Sequence, residues 1–297
     1  MFSTIEEYLE ALKLELKDAD PALLQDALSD AREHLSLALE AARQADPQVG
    51  EAEALAGIVE GYGTPEETAA AYVEVERRTA PGLGPVSAQK AAAPLGRFFG
   101  IYTDPRAWGG LFYMLIAFVT GIAYFTWAVT GLSLSVSLAL FIFGLPLALL
   151  FLLSIRGVAW LEGRLVEALL GVRMPRRPMF APQNVKLLDR IKQLLLDKHT
   201  WLSLIYMMLQ IVLGIFYFFV LVILFVFSLT GLAIPIVQEY FDIPAITIGG
   251  GLFIYLPDWS YPLTVLAGLL LWTVTMHAVK YVGQLHGRYA KALLVTE

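Results

Sequence analysis

Four apolar stretches constrain this chain more than any other feature: Trp108–Thr130, Leu132–Ile155, Trp201–Leu229 and Pro262–Met276, the last continuing to about 279. None carries Asp, Glu, Lys or Arg in its interior. A hydrocarbon core of about 30 Å is crossed by roughly 20 such residues in a helix, so each stretch predicts a membrane span. The predicted spans are about 108–130, 132–155, 201–229 and 262–279, and the predicted fold is all-α, an integral membrane four-helix bundle. Composition agrees, with 57% hydrophobic against 16% charged residues. The third stretch is long enough to tilt or project beyond the bilayer. In the second, Gly144 and Pro146 predict a kink.

The bases set the expected topology. Lys90, Arg97 and Arg106 precede the first span, nine bases from Arg156 to Lys198 separate the second from the third, and Lys280, Arg288 and Lys291 follow the fourth. The other two expected loops, about 130–132 and 230–261, hold no Lys or Arg. By the positive-inside rule both chain ends and the central basic segment are expected in the cytoplasm. The first 35 residues lack the charged and apolar regions of a signal peptide. There is no cysteine, hence no disulfide framework, thiolate nucleophile or Cys-based metal site.

Residues 1–80 differ sharply from the rest, with 18 acids and 6 bases against 9 acids and 15 bases in 81–297. So acidic a segment disfavours direct binding to nucleic acid. Apolar residues at helical spacing predict a helix over 4–17, with Ser3 and Glu6 as its capping box. Asp20-Pro21 opens a second toward Gln44, a third runs from about Val49 to Tyr62 with Gly61 and Gly63 as its helix-stop glycines, and Thr64-Pro65-Glu66-Glu67 opens a fourth. Four short amphipathic helices share one small core in this reading. Residues 81–96, rich in Ala, Pro and Gly, are expected to form a linker to a membrane domain over 97–297.

The membrane part repeats itself. Asp104-Pro-Arg-Ala-Trp108 is echoed by Asp197-Lys-His-Thr-Trp201, and Gly121-Ile122-Ala-Tyr124-Phe125 by Gly214-Ile215-Phe-Tyr217-Phe218, both at an offset of 93. Thr130-Gly131-Leu132 returns as Thr230-Gly231-Leu232, and Gly163-Arg164 with Ala168-Leu169-Leu170 as Gly287-Arg288 with Ala292-Leu293-Leu294. The units, about 97–171 and 190–295, each comprise a lead-in, a helical hairpin and an amphipathic exit. A hairpin returns the chain to its starting side, so a parallel repeat about an axis along the membrane normal is expected. Most of the extra length of the second unit falls in or near the expected external loop, 233–261.

Asp104 and Asp197 are candidate helix caps, and Trp108 and Trp201 candidate headgroup-level anchors. Arg164 and Arg288, with Arg173, Arg176 and Arg177, are candidate lipid-headgroup contacts; the first two could instead pair with a carboxylate such as Glu162 or Glu167. Gly163 and Gly287 suit close helix approach. The stretch 184–197 is amphipathic, with Leu187, Leu188, Ile191, Leu194 and Leu195 on one face, and suits an anionic interface. In the external loop Glu239, Asp242 and Asp258 lie among Tyr240, Phe241, Phe253, Tyr255, Trp259 and Tyr261. Carboxylates beside aromatic faces could receive a cationic ligand; an aromatic cap on the bilayer surface is the plainer alternative. A short hairpin between Ala245–Ile248 and Leu252–Leu256 is also expected.

Two resemblances follow from these residues. YLEALKLELKD, the acidic second helix ending AREHL, and Gly63, Pro65 and Ala69 resemble the HAAS-type helical signalling domain of bacterial membrane proteins. WGGLFYMLIAFVTGIAYF, RGVAWLEGR and LLLDKHTWLSLIYMML are similar to the four-helix sensor domain of actinobacterial membrane proteins, some of which continue into histidine kinases. Within these 297 residues no phosphoacceptor helix or ATP-binding domain is expected, a departure from the kinase-bearing form. The resemblances imply a multi-pass protein of the bacterial cytoplasmic membrane, contacting lipid, with residues 1–80 addressing a cytoplasmic protein such as a PadR-type regulator; homo-oligomers are compatible with it.

No zincin, nucleophile-elbow, Walker A or dinucleotide motif is present. The four histidines lack metal-ligand spacing, and His277 is the one best placed to face a bundle interior. The expectation is a sensor or regulator coupling an envelope or lipid signal to a cytoplasmic partner, with no enzymatic activity and no cofactor. The alternative is a permease-like transporter subunit working with a separate ATPase.

Overall fold

A computed structural model of the chain describes residues 2–79, 94–138, 141, 144–176, 187–248 and 251–295. The architecture is all-α, with one two-stranded hairpin among the described residues. Helices α1 (Ile5–Glu15), α2 (Pro21–Ala45), α3 (Glu51–Tyr62) and α4 (Pro65–Thr79) are followed by a short α5 (Pro94–Phe99). The long helices are α6 (Pro105–Leu138), α7 (Gly144–Leu170), α9 (Lys198–Phe241) and α10 (Tyr261–Leu294), with α8 (Leu187–Leu196) between the second and third. Strands β1 (Ile246–Ile248) and β2 (Leu252–Ile254) pair antiparallel, with Thr247 opposite Phe253. The expected hairpin is therefore present, although Gly249 and Gly250 lie outside the described residues.

The four N-terminal helices close on an apolar core that includes Tyr8, Leu9, Leu12, Leu16, Leu35 and Leu55. The α1 cap sits one residue later than the sequence pattern placed it. Thr4 accepts the Glu7 amide at 3.3 Å, and the Glu7 carboxylate takes the Ser3 amide and hydroxyl, each at 2.7 Å. Thr64 and Glu67 form the corresponding box at α4. Gly61 lies inside α3; the stop is Gly63, at φ 109°, a conformation that favours glycine. Its carbonyl accepts the buried Tyr8 hydroxyl at 2.9 Å, which pins the α3–α4 turn to α1.

All four long helices are apolar enough to cross a membrane, and only 33, 28, 22 and 28% of their most apolar windows is buried within the chain. Apolar surface of that extent needs lipid to cover it. Three boundaries differ from the hydropathy reading. The first hairpin does not turn at 130–132: α6 runs on to Leu138, and Gly144 and Pro146 begin α7 instead of kinking a span. A Cβ on Gly131 would lie 2.1 Å from the Phe151 ring, and one on Gly231 3.0 Å from the Thr264 carbonyl. The repeated Thr-Gly-Leu thus marks a close helix contact and not a turn. The expected external loop begins late, because α9 continues through Pro235 to Phe241 before the strands. The fourth helix also runs well past Val279, to Leu294.

The described residues fall into two compact units. One comprises those within Met1–Gly84, Trp127–Tyr206 and Gly287–Glu297; the other, those within Pro85–Thr126 and Met207–His286. The N-terminal helices thus share a unit with α7, α8 and the end of α10.

Candidate functional site

Within each unit the repeats exchange equivalent contacts. Asp104 caps α6, accepting the Arg106 amide at 2.9 Å, and meets Lys280 of the second repeat at 2.6 Å. Asp197 accepts the His199 amide at 3.2 Å and meets Arg156 of the first repeat at 2.7 Å. Arg156 and Lys280 stand 124 residues apart, the offset that relates the two exits. Trp108 and Trp201 donate to the carbonyls of Tyr102 and Leu195, at 2.8 and 2.7 Å, six residues back in each case. Both indoles are partly exposed, as anchors require.

Deeper in, Tyr113 meets His286 at 2.6 Å, and Tyr206 donates to Glu162 at 2.7 Å. Glu162 and His286 are again 124 apart, and all four side chains are buried. Gln210 also donates to the Tyr113 oxygen, at 3.3 Å. The other ring nitrogen of His286, Nδ1, meets the Tyr217 hydroxyl at 3.0 Å. His286 is buried and His277 only half-buried; His277 stacks on Phe98 and meets its carbonyl at 2.9 Å, and His199 is buried as well.

Burial pushes the Asp104 carboxyl up, but the hydrogen bond from Lys280, the Arg106 amide and the two cationic charges outweigh it. Its pKa is held below the ordinary value. The resulting stabilisation is complete above the unfolded carboxyl value of about 4 and is lost as pH falls through the lower folded value. Asp104→Asn should therefore lower the melting temperature at neutral pH and flatten its decline below about pH 4. Parallel melting-temperature curves for the two proteins in detergent would show that the pair contributes nothing.

The densest constellation lies where the exit of α7 meets the N-terminal helices. Gly171, at φ 69°, ends α7, and Pro175 keeps the following residues out of a helix. In this extended segment Arg173 is buried. Its guanidinium meets Asp26 at 2.7 Å, Glu76 at 2.7 Å and Glu167 at 3.8 Å, and donates to the Met174 carbonyl. Asp26 also accepts the Arg176 amide at 2.8 Å. Burial works against the guanidinium charge, but Asp26 and Glu76 outweigh it, so the pKa rises and Arg173 stays cationic. Lys291, near the end of α10, meets Asp20 at 2.5 Å while Asp20 caps α2. A Cβ on Gly287 would lie 2.5 Å from Val172, so glycine lets the two exits pack together. Helix α2 is thereby tied, through Asp26 and Asp20, to the exits of both repeats.

These contacts correct several assignments. Arg173 is engaged by carboxylates, not open to lipid. Arg164 is held by Glu167 at 2.5 Å and by the carbonyls of Met174 and Pro175, so of the two carboxylates considered for it Glu167 is the partner. Arg176 is half-exposed beside Glu76, Arg288 is exposed, and Arg177 lies outside the described residues. In the segment from the last turn of α9 to the start of α10, Glu239, Tyr240, Asp258 and Trp259 are exposed. Asp242 has a structural role, ending α9 at φ 51° while its carbonyl accepts the Tyr255 hydroxyl at 3.0 Å. Gln238, which hydropathy passes over, pins this segment through both polar atoms, bonding Leu256 twice and Tyr261. Among the described residues no three His, Asp or Glu side chains are grouped to hold a metal.

The model of the Sensor family, described as "Putative sensor", matches residues 113–294. No curated protein and no solved structure matches the chain. The matched region covers more than half of the sequence, from Tyr113 to the end of α10, and contains Glu162, His286, Arg173 and Lys291. By its sequence and by its four apolar helices, this chain belongs to the Sensor family.

Proposed function

We propose that the protein is a sensor of the bacterial cytoplasmic membrane, without catalytic activity of its own, that passes an envelope or lipid signal through its N-terminal helices to a cytoplasmic protein. The observation that carries this reading is the attachment of α2 to both repeat exits, by Asp26 to Arg173 and by Asp20 to Lys291. A change in spacing between the ends of α7 and α10 must stretch one of these ion pairs, and α2 then moves or lets go. The buried Asp26–Arg173 pair suits such a role, because such a pair holds in one geometry and loses several kcal/mol in another, while Lys291–Asp20 is partly exposed and weaker. The placement of every base of residues 81–297 outside the two base-free connections supports cytoplasmic ends. The HAAS-like pattern supports a protein partner, with a PadR-type regulator as the first candidate.

Photo-crosslinkers at Leu14 and Leu37, exposed on α1 and α2, test this in whole cells with the full chain. The expected product joins the protein to a cytoplasmic regulator, and its yield changes in an Arg173→Glu background. Crosslinks to periplasmic proteins, or none to any cytoplasmic protein, would refute the proposal.

A further inference from the structure

Helix α8 carries a wider apolar stripe than the protein covers. Ile191 and Leu194 are buried where α8 packs on α7. Leu188 and Leu195, beside them on the same stripe, are 62% and 44% exposed, and Leu196 is 75% exposed. Lys192 and Lys198 are exposed and Arg190 half-buried, with Asp189 the one exposed acid of the helix. Asp197, the next acid, is already engaged by Arg156.

The depth of this helix is set by its neighbour. One residue separates α8 from α9, a helix apolar enough to span the membrane. Trp201 in the first turn of α9 donates its indole N–H to the Leu195 carbonyl, so the last turn of α8 is tied to a residue type that settles among headgroups. Trp201 and Ile205, in the first turns of α9, are exposed apolar residues too. A bilayer that reaches Trp201 reaches the last turn of α8 bonded to it, and the exposed lysines there select its charge. We propose that α8 is an interfacial helix that inserts Leu188 and Leu195 into an anionic bilayer surface, with Lys192 and Lys198 on the lipid phosphates. Its assignment to the cytoplasmic leaflet rests on the orientation proposed above; its contact with anionic lipid does not.

The absence of cysteine makes a direct test simple. Single cysteines at Leu188, Leu195 and Gln193, the last exposed on another face, are labelled with a nitroxide in the full-length protein. The protein is placed in nanodiscs of phosphatidylcholine alone or with phosphatidylglycerol. At 188 and 195 oxygen accessibility should rise and aqueous nickel accessibility fall when phosphatidylglycerol is present, while 193 stays aqueous. Neutralising Lys192 and Lys198 to Gln should reduce the inserted-to-free ratio by about fivefold per lysine. Aqueous labels at 188 and 195 in both lipids overturn the proposal. Equal insertion in both lipids overturns the anionic preference. Dipolar broadening between labelled copies would show that a second protein molecule covers the face, and would overturn it as well. Loss of crosslinking from the N-terminal helices leaves these readouts untouched, so the two proposals fail separately.

Discussion

Replacing Arg173 with alanine should loosen the N-terminal helices from the α7 exit at a cost of about 3–5 kcal/mol, the range for removing one partner of a buried ion pair. Its side chain is 8% exposed and that of Asp26 9%. Without the guanidinium, Asp26 and Glu76 face each other with much of their solvation gone. Arg173→Glu should be worse, since it adds a further negative charge beside Asp26, Glu76 and Glu167. Arg173→Lys should recover only part, because one ammonium cannot reproduce the forked contact to two carboxylates. The exposed pair Arg43–Glu51 is the internal control, and Arg43→Ala should cost no more than about 1 kcal/mol. Hydrogen exchange of the α2 amides in detergent is the measurement. Protection in Arg173→Ala within about 0.5 kcal/mol of the parent would sink the claim that this junction holds α2.

Gly214→Ala should destabilise the second unit, although the same change in an open helix stabilises by about 1 kcal/mol. A methyl at Gly214 would lie 2.3 Å from the Ala117 carbonyl oxygen, and one at Gly121 would lie 2.7 Å from that of Gln210. These neighbours are backbone and cannot rotate away. The two positions correspond in the repeat, so α6 and α9 cross with each glycine against the other helix. In lipid there is little hydrophobic force between helices, and close backbone contact carries much of the association. The expected loss is about 1–3 kcal/mol or more for either glycine, read as a lower melting temperature in detergent. Gly157→Ala, which meets nothing within 4 Å, should be neutral or stabilising. If all three variants melt alike, the crossing is not where the glycines matter.

The spans were legible because hydropathy is a sum over neighbours in the chain. Their ends were not, because α6, α9 and α10 extend past the apolar windows as continuous helices. Gly131 shows why: a glycine beside a threonine reads as a turn, and only the Phe151 ring packed against it reveals a contact. The repeat was legible as well, and its 124-residue offset already relates Glu162 to His286 and Arg156 to Lys280. The residue types differ within each of those pairs, so identity matching began at Gly163, one residue after Glu162. The candidate ligands Glu239, Asp242 and Asp258 were chosen for their chemistry. Asp242 follows the last residue of α9 at φ 51°, Asp258 lies beyond the hairpin, and all three side chains are exposed.

From sequence alone came the all-α membrane class, the duplication, the four N-terminal helices and the separation of an acidic segment from a basic one. Each of these is a property of composition or local period, and needs no knowledge of which residues meet. Only the tertiary structure decided that the two charge populations close on each other. The guanidinium of Arg173 finds Asp26 across 147 residues, and Lys291 finds Asp20 across 271. A net charge reports how many such groups exist, but burial and a distance below 3 Å decide whether they act as solvated surface or as a junction.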